Sequence, residues 1–152
     1  MPAFFNNDKD LFNKTKTELI AKNNDIAVSV AHKVEISHYF NIKDFKSAYK
    51  SADKLVASYI HDDSDELNEL AWKFFETVED PKMLIKVTQW AEQSVKLKEN
   101  QYNLDTYAHL LFVTGKVEEA IIAEKKAIEI AKKVNDPDVQ NLENNLLKFE
   151  QK

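Results

Sequence analysis

The chain of 152 residues is 43% hydrophobic and 31% charged, the balance of one ordinary globular domain rather than of a disordered or fibrous chain. It contains no cysteine, which excludes thiol nucleophiles, Cys-ligated zinc, iron–sulfur centres and disulfides together. Its net charge of −5 comes from 26 acidic residues against 21 basic ones, all lysine. That balance opposes polyphosphates and anionic membranes, and it withholds the arginine that best reads phosphate and guanine edges.

No run of about 18 apolar residues spans a bilayer, and the start, Met1 to Asn7, lacks the segments of a signal peptide. The expectation is a soluble chain with neither a nucleic-acid nor a membrane partner. One glycine and three prolines are poor material for the tight turns of a sheet protein, so the fold class expected is all-α. Helix starts are placed where Asp, Asn or Ser can accept from free N–H groups, and joints where Gly and Pro fall.

In chain order, the first helix is predicted over 8–21, with Leu11, Phe12, Leu19 and Ile20 available to cover one end of a stack. Helices follow at 25–40 and 44–60, then at 64–77 and 81–97, the last opening on Pro81. Two more are predicted at 104–113 and 117–134, and an eighth at 137–150. In the last of these, Val139, Leu142, Leu146 and Phe149 stand three and four apart as an apolar stripe. Short links force neighbouring helices to run antiparallel, so the chain reads as a series of hairpins.

Within 101–134 lies a repeat unit of about 34 residues. Leu104, Tyr107, Ala108 and Leu111 precede a Thr114-Gly115 turn, and Ala120, Ala127 and Ile128 follow it. The alanines are small where two helices cross closely, and Gly115 allows a left-handed turn. This pattern resembles the tetratricopeptide family. The stretch 65–100 repeats the logic more loosely, with Leu67, Leu70, Ala71 and Phe74 facing Trp90, Ala91, Val95 and Leu97 across a longer turn at Glu79 to Lys82. In 29–62, Tyr39, Phe40, Asp44, Phe45 and Ala48 resemble a turn and second-helix start. The resemblance implies a single domain over 1–152: a short stack of hairpins at 25–60, 64–97 and 101–134 between capping helices at 8–21 and 137–150.

It further implies a concave face lined by the first helix of each hairpin. The positions carried over are Lys33, Ser37, Phe40 and Asn41, then Asn68, Trp72, Phe75 and Glu76, then Tyr102, Asp105, His109 and Phe112. Trp72, Phe75 and Phe112 are anchors of the kind that dominate interfaces, with Asn68, Asp105 and His109 placed to fix a peptide by hydrogen bonds. The same aromatic spacing also suits core packing beneath the terminal helices. Lys33 is the one basic residue among these positions, so the family's clamp on a C-terminal carboxylate is not expected. Around the middle hairpin, Asp62, Asp63, Asp65, Glu66, Glu69, Glu76, Glu79 and Asp80 stand against Lys73 alone, an acidic rim able to attract basic partners.

A broader resemblance covers Glu66 to Lys132, notably Leu67 to Phe75, Trp90 to Val95 and Tyr102-Asn103-Leu104-Asp105-Thr106-Tyr107-Ala108. These segments look like the helical region that follows a thioredoxin-like domain in some bacterial proteins. The resemblance implies a periplasmic location if such a domain is exported, and a cytoplasmic one otherwise.

No phosphate loop, zinc-protease helix or nucleophile elbow is present, and no convergent cluster of titratable residues is expected. His61-Asp62-Asp63 is the best local metal candidate, set against its reading as an exposed helix-end cluster. The expectation is therefore a non-catalytic interaction module, without cofactor or metal, that holds a peptide or partner segment as a monomer or weak homodimer. The alternative is a structural appendage of a thioredoxin-like or other multidomain protein.

Overall fold

The computed structural model describes residues 9–22 and 24–152, so the expected start of the first helix at Asp8 lies outside the described residues. Every regular element described is helical: α1 (Lys9–Ala21), α2 (Asp25–Asn41), α3 (Phe45–Leu55) continuing as a π-helical turn (Val56–Ile60), α4 (Ser64–Thr77), α5 (Pro81–Leu97), α6 (Gln101–Val113), α7 (Val117–Lys133) and α8 (Val139–Glu150). No helix among the described residues is long and apolar enough to cross a membrane. The chain divides into two compact units, Met1–His61 and Asp62–Lys152, inside the stretch that the sequence reads as one domain.

Cap chemistry sets the starts. The side chains of Asn24, Asp44, Asp63, Asp80 and Asn100 accept from the amides of Ala27, Ser47, Glu66, Lys82 and Asn103 at 2.9–3.1 Å, each satisfying a donor that the helix cannot. Asn100 in that role starts α6 at Gln101, three residues before the predicted 104. Asp136 Oδ1 accepts from Asp138 N at 2.8 Å and holds a turn over Pro137, so α8 begins at Val139 rather than at 137.

Three helix ends share one closing device. After α2, α6 and α7, a residue with positive φ turns the chain: Lys43 (58°), Gly115 (91°) and Asn135 (54°). The next amide in each case reaches back into the last helical turn, Asp44 N to Tyr39 O, Lys116 N to Leu111 O and Asp136 N to Ala131 O, all at 2.9 Å. This left-handed closure satisfies carbonyls that the helix end leaves open. Gly115 adopts it at no steric cost, whereas Lys43 bears the strain of a side chain in that region.

In the first unit α2 packs against both α1 and α3. Ala31, Ala48 and Ala52 are almost wholly buried where α2 meets α3, and Val34, Ile36, Phe40 and Leu55 fill around them. α1 docks through Phe12, which stacks on His38 at 4.1 Å between ring centroids. Of its other expected covering residues, Leu19 is half-buried while Leu11 and Ile20 are exposed.

The second unit is a chain of neighbours in which α4 packs on α5, α5 on α6, α6 on α7 and α7 on α8, while α4 also meets α6. Ala71, Ala91, Ala108, Ala120, Ala127 and Ala131 are all 0% exposed, which lets the helices approach closely. Leu67, Phe74, Val87 and Leu111 fill the gaps, each contributing about 1.5–3 kcal/mol through burial. Lys132 pairs with Glu143 at 2.6 Å and Lys125 with Glu150 at 3.0 Å, joining α7 to α8 along its length. At the other end, Gln101 Nε2 and Tyr102 Oη each donate to Asp136 Oδ2 at 2.6 Å.

Candidate functional site

Asp105 and His109 stand four residues apart on α6, one turn above the other on the same face. His109 Nδ1 lies 2.9 Å from the Asp105 carbonyl oxygen and 3.2 Å from Asp105 Oδ1. From α8, Asn145 Nδ2 donates to the same Oδ1 at 3.2 Å. From α7 comes Glu124, 0% exposed, with no hydrogen-bond partner for either carboxyl oxygen among the described residues. One donor atom each from Asp105, His109 and Glu124 lies within 4.8 Å of the others.

The electrostatics follow from the burial. Placing a carboxylate among alanines without a partner is costly, and such a group keeps its proton instead. Burial, reinforced by the charge and proximity of Asp105 and opposed by the Asn145 amide, pushes the Glu124 carboxyl up to about 9. Burial alone would lower the His109 imidazolium, but its hydrogen bonds to Asp105 and the charge there outweigh both that and Lys148, so it ends above its ordinary value.

Aromatic rings wall this centre. Trp72 and Phe75, three apart on α4, lie 4.9 Å from each other and 5.4 and 5.1 Å from the His109 ring. On the α8 side Phe149 lies 5.3 Å from His109 and 4.6 Å from Phe112. The imidazole is thus a hub, with three rings set at steep, T-shaped angles to it.

The expected groove residues divide accordingly. Lys33, Ser37 and Phe40 belong to α2 of the first unit, where Phe40 is buried and packs on Phe45 at 5.8 Å between centroids. Trp72, Phe75, Asp105, His109 and Phe112 are brought together in the second unit, all half-buried. Asn68, also half-buried, lies one turn before Trp72 and has its Oδ1 buried without a partner. Tyr102 is exposed at the start of α6 with its hydroxyl on Asp136. Asn41 and Glu76 are exposed.

The expectation of no convergent titratable cluster is corrected by the Asp105–His109–Glu124 group. Glu124, Asn145 and Phe149 were not singled out as site residues, although a signal existed: Glu124 falls within the stripe of Ala120, Ala123, Ala127 and Ala131, and Asn145 within that of Leu142, Leu146 and Phe149. A charged or amide side chain at a core register has to find a partner or a proton. At the other candidate, His61 ends the π-helical turn and Asp63 caps α4.

Glu35 on α2 shows the opposite solution. It too is buried, but Ser51 Oγ donates to it at 2.8 Å, Lys16 Nζ bonds its other oxygen, and His32 Nδ1 lies 3.4 Å away. Burial pushes its carboxyl up, yet these donors and charges prevail and hold it below the ordinary range. A depression of about 220 Å³ beside it is lined by Glu35, Tyr39, Ser47, Lys50, Ser51 and Lys54. A larger one of about 360 Å³ in the second unit, lined by residues that include Ile85, Glu92, Tyr107 and Lys116, contains none of the expected groove residues.

Comparison with protein-family models, with curated proteins and with solved structures finds no match.

Proposed function

We propose that the second unit is a tetratricopeptide-like interaction module, non-catalytic in itself, whose α4–α6 face holds a segment of a protein partner. The observation that carries this reading is the half-buried cluster of Trp72 and Phe75 against His109. Tryptophan and aromatic neighbours that keep part of their surface in water are the usual anchors of an interface. The repeat-like arrangement is supported by the Gly115 turn, the buried alanines of α6 and α7, and the packing of α4 on α6, the first helices of successive hairpins. The acidic rim of 62–80 favours a segment with an apolar or aromatic anchor flanked by lysine or arginine.

Selection of a displayed peptide library against the full chain tests this. The expected result is a family of peptides with that pattern, whose binding shifts Trp72 fluorescence and is lost in Trp72→Ala and Phe75→Ala chains that keep wild-type helicity. Peptides that bind those variants as tightly as the wild type, or no enrichment at all, would overturn it.

A second reading, a helical appendage supporting a neighbouring domain or a homodimer, is favoured by one contact. Phe149 of α8 already covers Phe112 and part of His109, which shortens the face left for a partner. Light scattering separates the two, since a monomer that binds the selected peptides fits the module and not the appendage.

A further inference from the structure

We propose that Asp105, His109 and Glu124 form a binding site for a single divalent transition-metal cation of the zinc class. Three ligands of the two types that such ions accept, a carboxyl group from each of two helices and an imidazole nitrogen, converge within 4.8 Å. With bonds near 2 Å, tetrahedral donors stand roughly 3.3 Å apart, so closure needs side-chain movements on the order of 1 Å and no helix shift.

Proximity of acids is common and by itself carries little; the second observation is Glu124. Its side chain is 0% exposed, and both oxygens lack a hydrogen-bond partner among the described residues. Such orphaned buried acceptors are rare in folded proteins and call for an explanation, an ion among them. An ion entering here displaces the proton that Glu124 otherwise keeps and any on the coordinating nitrogen of His109. The resulting two carboxylates and neutral imidazole balance its charge, which is the condition for holding it away from water.

The surroundings are those of a supported site. Asn145 Nδ2 holds Asp105 Oδ1 from α8, as outer-shell partners hold metal-binding carboxylates. Trp72, Phe75 and Phe149 pack around the imidazole and fix its plane. The side chains of Asp105 and His109 keep 22% and 16% of their exposure, leaving an ion a way in from the surface. The absence of thiolates suits zinc, manganese, iron or nickel better than copper(I).

The test uses the full chain, stripped with EDTA and titrated with Zn²⁺ by calorimetry. One ion per chain is expected with micromolar affinity or tighter, and Co²⁺ should give visible bands in its place. Glu124→Gln and His109→Gln should each weaken Zn²⁺ binding by about 100-fold and Asn145→Ala by about 10-fold, as for lost ligands and outer-shell partners. In the wild-type chain, which needs no variant to fold, Zn²⁺ should move the imidazole ¹⁵N signals of His109 and not those of His32, His38 or His61. Binding unchanged in Glu124→Gln, shifts confined to another histidine, or no saturable binding would overturn the proposal.

Discussion

Replacing Glu124 by Gln should stabilise the second unit at neutral pH, and the gain should disappear in acid. In the folded chain the carboxyl is raised from 4.5 to about 9, so near pH 7 the folded form keeps a proton that the unfolded form has released. The folded state then binds more protons than the unfolded one, and stability falls as pH rises from about 4.5 towards about 9. Between the ordinary value and pH 7 lie some 2.5 pH units, which at about 1.4 kcal/mol each amount to roughly 3 kcal/mol. Glutamine keeps the shape and cannot ionise, so it removes this slope. Both tryptophans, Trp72 and Trp90, lie in the second unit, and their fluorescence during urea unfolding in EDTA reads that unit alone. The wild type and Glu124→Gln should nearly coincide near pH 4.5 and diverge by roughly 3 kcal/mol near pH 7. His109, raised by Asp105, acts in the same direction in both chains: its stabilisation is complete below its unfolded value of about 6.5 and is lost as pH rises through the folded value. Parallel stability curves for the two chains across this range would refute the reasoning.

Gly115→Ala should cost about 1–2 kcal/mol in the same fluorescence assay, because its added Cβ meets nothing within 4 Å and the cost is purely that of φ at 91°. The mirror experiment is Lys43→Gly, which should slow amide exchange across α2 and α3 by relieving the same left-handed strain. Phe149→Ala should lower the stability of the second unit by about 3–5 kcal/mol, since the ring is 3% exposed and bridges His109 to Phe112; a negligible change would mean that α8 is not docked. In the first unit, Glu35 is held below its ordinary value, so its stabilisation is present above about pH 4.5 and lost as pH falls through the lowered folded value. Ser51→Ala removes one of the donors responsible and should move acid-induced loss of amide protection in α2 to higher pH.

Much of the fold was legible because capping is local chemistry. Asp44, Asp63 and Asp80 announce their helices by side-chain reach alone, and Gly115 announces a turn by conformational freedom. Lys43 and Asn135 make the same turn without that signature, so only the structure relates the three. The π-helical turn at Val56–Ile60 had no local mark either. The site divided along similar lines. Trp72, Phe75 and His109 follow from the positions that the tetratricopeptide resemblance implies, but Glu124 does not, because an acidic residue between Ala123 and Lys125 reads as surface until the stripe from Ala120 to Ala131 is followed through it. That α8 lays Phe149 over Phe112 depends on how the last helix packs back, which spacing within one helix does not specify.

Both the proposed peptide face and the proposed cation site depend on α4, α6 and α8 meeting around one imidazole. Nuclear Overhauser contacts from the His109 ring protons test this most directly. They should reach Trp72, Phe75 and Phe149, whose ring centroids lie 5.1–5.4 Å away. A His109 ring that shows contacts only to residues of its own helix would contradict both.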